Sequence, residues 1–302
     1  MNNMKLLPRE EIDEQRWDNC VISSPFFRHY ALTYYMDSAC EFWMGLLDED
    51  YSWVWPVPIK KFPVSRVYQP LLSQQLGPYG ASIDGQVVQN GLLFLKRHFA
   101  HIRIKLNDQF QQSQLIGELE QHQNFELDLS LPYTIKGYNR TVQSNLKKSE
   151  KAKLTIQSSN DFDSWCVETF KHSKGIEINA LKDDFYIQVE NVFKAFAERD
   201  SALCFTAFSE AEKVAQVLVL NSNNRLLFLF SASNIIGKQF GAMHAIVDAI
   251  IKEYSGRPFV LDFEGSNDPG LAYFYGGFGA EHKVYLQLTE SRLKWPLNRL
   301  IK

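Results

Sequence analysis

The segment between residues 259 and 285 carries side chains that could exchange protons with a ligand. Asp262 and Glu264 lie at the end of a short, mostly apolar strand predicted over 259–263, and Tyr273 follows in an aromatic stretch. General acid–base chemistry needs one group that accepts a proton and another that donates one. A carboxylate takes the proton if burial raises its pKa, and a phenol can donate one. We therefore interpret Tyr273 as a general acid and Glu264 or Asp262 as a base, with capping of the following turn as the alternative for both carboxylates.

A second candidate site is the glycine-containing segment NIIGKQFGA at 234–242, which precedes a predicted helix. Backbone N–H groups at a helix N-terminus bind anions, and the helix dipole adds partial positive charge. The residues predicted to form this anion cradle are Gly237, Lys238, Gln239, Gly241 and Ala242. An ordinary glycine-containing turn before a helix is the alternative interpretation.

A basic helix is predicted over residues 138–152. Tyr138, Val142 and Leu146 recur along it and form one narrow apolar stripe, so the basic side chains project elsewhere. Arg140 is the candidate ligand contact, because a planar guanidinium binds phosphate or carboxylate in two places. Three other basic side chains are interpreted as a solvated face: Lys147, Lys151 and Lys153.

The elements that must position these residues occur twice in the same order. Each half contains a hairpin, a longer helix and a strand that follows this helix. The hairpins are predicted at 41–59 and 203–220, the helices at 87–100 and 242–254, and the strands at 102–106 and 259–263. Strands mixed with helices in this order predict an α/β (α+β) fold. We predict two lobes, residues 1–135 and 136–302, each a mixed, mostly antiparallel sheet flanked by helices.

The run AYFYGGF at 272–278 resembles the closing motif of GNAT acyltransferases, in which a tyrosine precedes a Gly-Phe pair. Tyr273 stands at that place relative to Gly277 and Phe278. The wider segment looks more closely like the Fem family, double-GNAT proteins that attach amino acids or acyl groups to cell-wall precursors. Those proteins end in a Phe-x-x-Gly-Phe-Gly element, which is FYGGFG at 274–279 in this sequence.

Two further stretches agree with the resemblance. The residues YNR at 138–140 and NLKK at 145–148 resemble the arginine-rich helix that opens the second Fem lobe, and the Gly-Pro loop at 77–80 resembles that of the first. The resemblance implies these substrate contacts: Arg140, Lys148, Tyr79 and Tyr275. Tyr275 stands where Fem proteins commonly carry a lysine that helps to hold a charged cell-wall nucleotide, and the long helical hairpin of some Fem enzymes is missing.

The resemblance implies an N-acyltransferase that transfers an acyl or aminoacyl group to an amine of a small molecule or peptide, in a cleft between the lobes. The implied donor is acetyl-CoA or another acyl-CoA, whose pyrophosphate would lie on segment 234–242. Two alternatives stay open. One is a tRNA-dependent aminoacyltransferase that acts on a cell-wall precursor, and the other is a catalytically degenerate pair of lobes that binds a metabolite or a partner.

Composition limits the other classes of function. The 302 residues are 45% hydrophobic, which supports a sizeable core. The net charge of -3 gives no global field for nucleic acid or an anionic membrane, so any polyanion site must be local. The cysteines and histidines show no metal-ligand spacing, so no metal is expected. The sequence shows neither an apolar run of membrane-span length nor a signal-peptide core, and a cytoplasmic protein is expected.

Overall fold

A computed structural model describes residues 4–115, 117–178, 181–265 and 267–299. The chain divides into two compact units: the first joins Met1–His122 to Val284–Lys302, and the second is Gln123–Lys283. The chain therefore leaves the first unit after His122 and returns to it at Val284, whereas we expected a single crossing at residue 135. A sequence pattern locates strands but does not say which sheet each one joins, and the last strand pairs with a strand of the first unit.

The strands and helices of the described residues are numbered in chain order. The strands are β1 (Met4–Pro8), β2 (Trp43–Asp48), β3 (Trp53–Lys60), β4 (Arg66–Val67), β5 (Tyr79–Gly80), β6 (His101–Lys105), β7 (Glu118–Asp128), β8 (Thr155–Ser159), β9 (Ala202–Ser209), β10 (Glu212–Ser222), β11 (Arg225–Ser233), β12 (Val260–Asp262) and β13 (Glu281–Ser291). The α-helices are α1 (Glu14–Ser23), α2 (Thr33–Ala39), α3 (Gly85–His98), α4 (Arg140–Lys151), α5 (Trp165–Lys171), α6 (Lys174–Glu177), α7 (Asp183–Ala197), α8 (Ile235–Phe240), α9 (Ala242–Tyr254) and α10 (Pro269–Gly276).

The first unit is built on strands in the order β1-β2-β3-β4-β6-β13, with β5 paired to β3. Neighbouring strands are antiparallel except β4 and β6, which run parallel where Val67 pairs with Ile102. Aromatic side chains fill the core of this unit, and Trp17 and Trp55 are fully buried. The indole N–H of Trp55 donates a hydrogen bond of 2.8 Å to the Leu76 carbonyl, which satisfies its polar atom inside the core.

The second unit has the strand order β7-β12-β11-β10-β9-β8. Only β11 and β12 are parallel to each other in this unit's described ladder, and their recorded pairs run from Arg225–Val260 to Leu227–Asp262. The register of β10 against β11 shifts between Leu218 and Val219, as at a β-bulge. Strand β11 continues to Ser233 and so extends well beyond its recorded pairs with β12.

Two helices of the second unit matter for the site, α4 and α9. Helix α9 buries residues at helical spacing, among them Ile246 and Ile250, in the core of the unit. Helix α4 begins after Asn139, whose side chain accepts a hydrogen bond of 2.9 Å from the Val142 N–H and so caps the helix. Val142 and Leu146 are the buried stripe of α4, as the sequence indicated.

The predicted fold class is confirmed, since each unit contains a mixed, mostly antiparallel sheet flanked by helices. In each unit a longer helix lies in sequence between the two strands of the parallel pair. Helix α3 lies between β4 and β6, and α9 lies between β11 and β12. No helix in the described part of the chain has the length and apolar character that a membrane crossing requires.

Candidate functional site

An open pocket of about 530 Å³ lies within the second unit, where β11 extends past β12. The recorded pairs between these strands end at Leu227, but β11 continues to Ser233 and its later residues line the pocket. Phe228 and Phe170 give the pocket apolar surface, while Ser231 and Ser233 contribute hydroxyl groups. The other walls come from α10 and from the junction of α8 with α9. A parallel pair that separates at its carboxyl end is a common place for a ligand in a mixed sheet.

Gly241 forms the junction between α8 and α9. Its φ of 71° lies in the left-handed region, where it ends α8 and begins α9. A Cβ atom at this position would lie 2.8 Å from the carbonyl oxygen of Asn145 on α4 and 3.0 Å from the Asn145 Cβ. Glycine is therefore required here both by conformation and by the close approach of α4.

Gly237 is buried inside α8, and its N–H donates a hydrogen bond of 2.8 Å to the Asn234 side chain. A Cβ atom on Gly237 would collide with the Val214 carbonyl oxygen and the Ser233 hydroxyl. Among the predicted cradle residues, the structure places Gly237, Lys238 and Gly241 on the pocket. The remaining two predicted cradle residues are not among the lining residues: Gln239 and Ala242.

The first turn of α9 faces the pocket through Met243 and His244. The first N–H groups of any α-helix have no acceptor within the helix, and the described residues provide no side-chain cap at Gly241. These N–H groups and the helix dipole give this end of α9 partial positive charge. The pocket also includes two lysines with exposed side chains, Lys174 and Lys238. Asp268 also lines the pocket, so one carboxylate stands against two lysines and the start of α9, and a negatively charged ligand group fits at this end of the helix.

His244 is a pocket residue that the sequence analysis did not single out. Its ring lies edge-on to Phe274 with centroids 4.8 Å apart, and Nε2 is 3.4 Å from the Asn145 Nδ2. Burial and the nearby positive charge of Lys148 lower the pKa of His244 to about 4. The imidazole is therefore neutral near pH 7 and can accept a proton or a hydrogen bond.

The two tyrosines of α10 differ in their surroundings. Tyr273 is 61% exposed, its hydroxyl is 2.8 Å from the Thr141 hydroxyl, and it is not among the residues that line the pocket. Tyr275 lines the pocket, is 8% exposed and stacks on Phe263 with centroids 4.7 Å apart. Burial, followed by the negative charges of Glu264 and Asp268, raises the pKa of Tyr275. Of these two phenols, only that of Tyr275 belongs to the pocket wall.

Asp262 is fully buried and held by an ion pair of 2.8 Å with Arg225. Arg225 also pairs with Glu126 at 2.9 Å, so one guanidinium joins three strands, β7, β12 and β11. The other carboxylate oxygen of Asp262 accepts a hydrogen bond of 3.0 Å from the Glu264 N–H, the turn-stabilising contact that the sequence left open as an alternative. Glu264 has a φ of 56° and is half-buried, and neither carboxylate lines the pocket.

The three remaining predicted contacts lie in different places. Arg140 begins α4 with an exposed side chain. Lys148 is exposed on the same helix, and its ammonium donates a hydrogen bond of 3.1 Å to the Asn145 side chain. Tyr79 belongs to the first unit, where it is fully buried. Its hydroxyl donates a hydrogen bond of 2.8 Å to the Gln75 carbonyl. The described residues contain no group of three or more His, Cys, Asp or Glu side chains that could hold a metal ion.

No protein-family model matches the sequence, and no curated protein sequence matches it. Solved structures do resemble it. A crystal structure of FemX aligns over 96% of this chain and 98% of its own, with a TM-score of 0.63 and 15% identity. L-PGS from Bacillus licheniformis aligns over 95% of each chain with a TM-score of 0.56 and 12% identity. A tandem GNAT protein from the clavulanic acid biosynthesis pathway aligns over 97% of this chain and all of its own, with a TM-score of 0.50 and 11% identity.

These likenesses cover nearly the full length of each compared chain, and the fold is therefore the double-GNAT, Fem-like fold that the sequence resemblance predicted. Identities of 15% and below establish the fold alone.

Proposed function

We propose that this protein is an acyltransferase that binds an activated acyl donor in the pocket of the second unit and transfers the acyl or aminoacyl group to an amine. The observation that carries the proposal is the first turn of α9, which opens onto this pocket beside Gly241 and Lys238. A pyrophosphate group on the donor matches this end of the helix in charge. The proposed donor is acetyl-CoA or another acyl-CoA, and the proposed acceptor is an amine of a small molecule or peptide.

The pocket has parts that fit such a donor. Gly241 allows α4 to pack closely against the start of α9, since a Cβ there would press on Asn145, and Lys238 adds an exposed positive charge. Phe228 and Phe274 offer apolar contact for an acyl chain. When bound, the donor would supply a carbonyl carbon attached to a thiolate or alkoxide leaving group.

In the proposed reaction the amine nitrogen bonds to the acyl carbon, and the bond from that carbon to the leaving group breaks. The proton lost by the nitrogen goes to a base, and a second proton neutralises the leaving group. We assign the base role to His244, which lines the pocket as a neutral imidazole, and retain Glu264 as the sequence-based alternative. Tyr273 remains the proposed acid, and Tyr275, which lines the pocket, is the alternative candidate for this role.

Donor binding tests the first part of the proposal. Acetyl-CoA and longer acyl-CoAs should raise the melting temperature of the full chain, and Lys238→Gln should weaken this effect. Lys147→Gln is the matched control, since Lys147 is exposed on α4 and is not among the pocket residues. If no acyl-CoA stabilises the protein but an aminoacyl-tRNA does, the donor is the tRNA. Stabilisation without product from any donor and amine would leave a binding protein and defeat the proposed chemistry.

The proton-transfer roles predict a specific ranking of variants. His244→Gln and Tyr273→Phe should each lower kcat by roughly a hundredfold, a typical loss for a general base or acid. Glu264→Gln and Tyr275→Phe serve as matched comparisons with the same types of change. A larger loss in Tyr275→Phe than in Tyr273→Phe would move the acid role to the pocket wall. Full activity of His244→Gln would remove it as the base.

A further inference from the structure

The first unit contains a separate pocket of about 400 Å³ that none of the preceding roles uses. It is formed by the end of β3, the strand β4 with the loop that follows it, the strand β6, and one residue of β13. Four of its side chains carry fixed positive charge: Lys60, Arg66, Arg103 and Lys105. We call it the basic pocket.

Strand β6 shows how the sequence builds the basic pocket. Successive side chains of a strand point to opposite faces, so His101, Arg103 and Lys105 share one face of β6. The intervening residues Ile102 and Ile104 are 1% and 0% exposed and belong to the core. One face of the strand therefore anchors the sheet, and the other presents its cations to the pocket.

The positive charge of the basic pocket is only partly balanced by the protein. None of the ion pairs recorded among the described residues of this unit involves Lys60, Arg66 or Arg103. The Arg66 guanidinium donates hydrogen bonds of 2.7 Å and 3.2 Å to the carbonyl oxygens of Phe62 and Val64, which orient it without neutralising it.

One carboxylate lies near the pocket wall, that of Glu120. It accepts a hydrogen bond of 2.9 Å from the side chain of Gln287, which is the β13 residue of the pocket. Glu120 offsets part of the positive charge, while no ion pair is recorded for Lys60, Arg66 or Arg103 among the described residues of this unit.

His101 gives an independent sign that the arginines converge. It lines the pocket, is 9% exposed, and its Nδ1 has no hydrogen-bond partner among the described residues. Its pKa is lowered, first by burial and then by the positive charges of Arg66 and Arg103. Both guanidinium charges therefore act on the same buried imidazole.

The rest of the wall combines two glutamines, Gln69 and Gln287, with apolar and aromatic residues. The Lys60 ammonium lies 5.0 Å from the centroid of the Tyr68 ring, and Pro70 is buried beside the loop. Leu71 and Phe62, which flank the pocket in sequence, are 65% and 86% exposed. A ligand with an anionic head and a less polar body matches this surface.

We propose that the basic pocket binds the phosphoryl group of a phosphate ester or diphosphate. Several unneutralised cations in one pocket match the two or more negative charges of such a group, whereas a carboxylate brings only one. The volume of the pocket exceeds that of a lone phosphate and lies within the usual range for small organic ligands. The proposal concerns the first unit alone and does not depend on acyl transfer in the second.

Calorimetric titration of the full chain with inorganic pyrophosphate tests the site. Wild-type protein should bind, with an affinity that falls as salt is added. Arg103→Gln should weaken binding by about tenfold or more, the usual loss for a charged hydrogen bond. Arg97→Gln is the matched control, because Arg97 is exposed on α3 of the same unit and does not line the pocket. No binding by wild type, or equal losses in both variants, would overturn the proposal for soluble ligands.

The phosphoryl group could belong to a soluble metabolite or to a lipid headgroup, and a second measurement separates these sources. Phosphatidylcholine vesicles with and without phosphatidylglycerol are sedimented with wild type, Phe62→Ala and Arg103→Gln. A lipid source predicts binding only to the anionic vesicles, with loss in both variants. A soluble source predicts no vesicle binding and pyrophosphate affinity unchanged in Phe62→Ala. If the protein binds neither pyrophosphate nor anionic vesicles, the basic pocket is not a phosphoryl site.

Discussion

Gly241 illustrates how a single residue shapes the second-unit pocket. Its left-handed backbone allows α8 to stop and α9 to start with its first turn open, and α4 passes close to it. Any side chain here would strain the backbone and displace Asn145, which also contacts His244. Packing and site geometry are therefore coupled at this position.

We expect Gly241→Ala to lower the free energy of unfolding by about 1–3 kcal/mol, because alanine disfavours this φ and its Cβ would press on α4. Gly276→Ala is the control, since Gly276 ends α10 with nothing within 4 Å of an added Cβ. Urea denaturation of both variants measures the difference. Equal stability of the two would contradict the close packing described for Gly241.

His244 makes stability depend on pH in a predictable direction. Its folded pKa of about 4 lies below the ordinary value of 6.5, so the unfolded chain binds the proton more readily. Its neutral form fits the fold fully above pH 6.5, and stability is lost as pH falls from 6.5 towards 4. After allowance for its partial exposure, the loss should be on the order of 2 kcal/mol.

Urea unfolding at several pH values between neutral and 4 checks this expectation. His244→Gln should lose much of the pH dependence, whereas His172→Gln, at an exposed position in the same unit, should keep it. An unchanged slope in His244→Gln would show that the imidazole is not held neutral in the folded protein.

The residue scale also shows what the sequence could and could not reveal. The sequence indicated Gly241 as a residue of interest because a glycine just before a predicted helix is typical of a turn or of an anion-binding helix start. His244 gave no local signal, since its environment depends on α4 and α10, which are distant in sequence. The alternation of basic and isoleucine residues at 101–105 was visible, but Lys60 and Arg66 join that face only through strand pairing.

At the scale of elements, the ion pairs of Arg225 join three neighbouring strands of the second unit, β7, β12 and β11. The carboxylates of Asp262 on β12 and Glu126 on β7 both accept hydrogen bonds from the Arg225 guanidinium on β11. The burial of Asp262 is tolerable because the charge is paired and hydrogen-bonded. Its burial and pairing favour a stabilising role for this carboxylate, beside the base role that the sequence suggested.

Asp262→Asn should lower the free energy of unfolding by about 3–5 kcal/mol, because it leaves a buried arginine with less compensation. Glu212→Gln, at an exposed position on β10 of the same unit, should change it by no more than about 0.5 kcal/mol. Thermal and urea unfolding give both values. A stable Asp262→Asn variant that had lost turnover would instead support the catalytic interpretation.

The elements themselves were largely predictable. Both hairpins, the longer helices and the strands after them appear close to their expected positions, because alternation and helical spacing are local properties. The route of the chain between units was not predictable in this way. The pairing of β13 with β6 joins residues far apart in sequence, and nothing in the composition of either strand specifies the partner.

At the scale of the whole molecule, a net charge of -3 conceals opposite local fields. The basic pocket gathers cations that the overall balance does not reveal, so average charge excludes a general polyanion surface but not an individual anion site. The double-GNAT, Fem-like fold was accessible from the motif at 272–279, whose aromatic residues Tyr275 and Phe278 belong to the core of the second unit.

The return of β13 to the first unit has a consequence during protein synthesis. A ribosome releases the chain from its N-terminus, so β6 emerges long before the strand that covers its edge. All residues of the second unit leave the exit tunnel in between and can complete their own sheet first. The nascent protein therefore carries an unpaired edge of β6 throughout most of translation. Such an edge can pair with another chain and aggregate unless a chaperone binds it first.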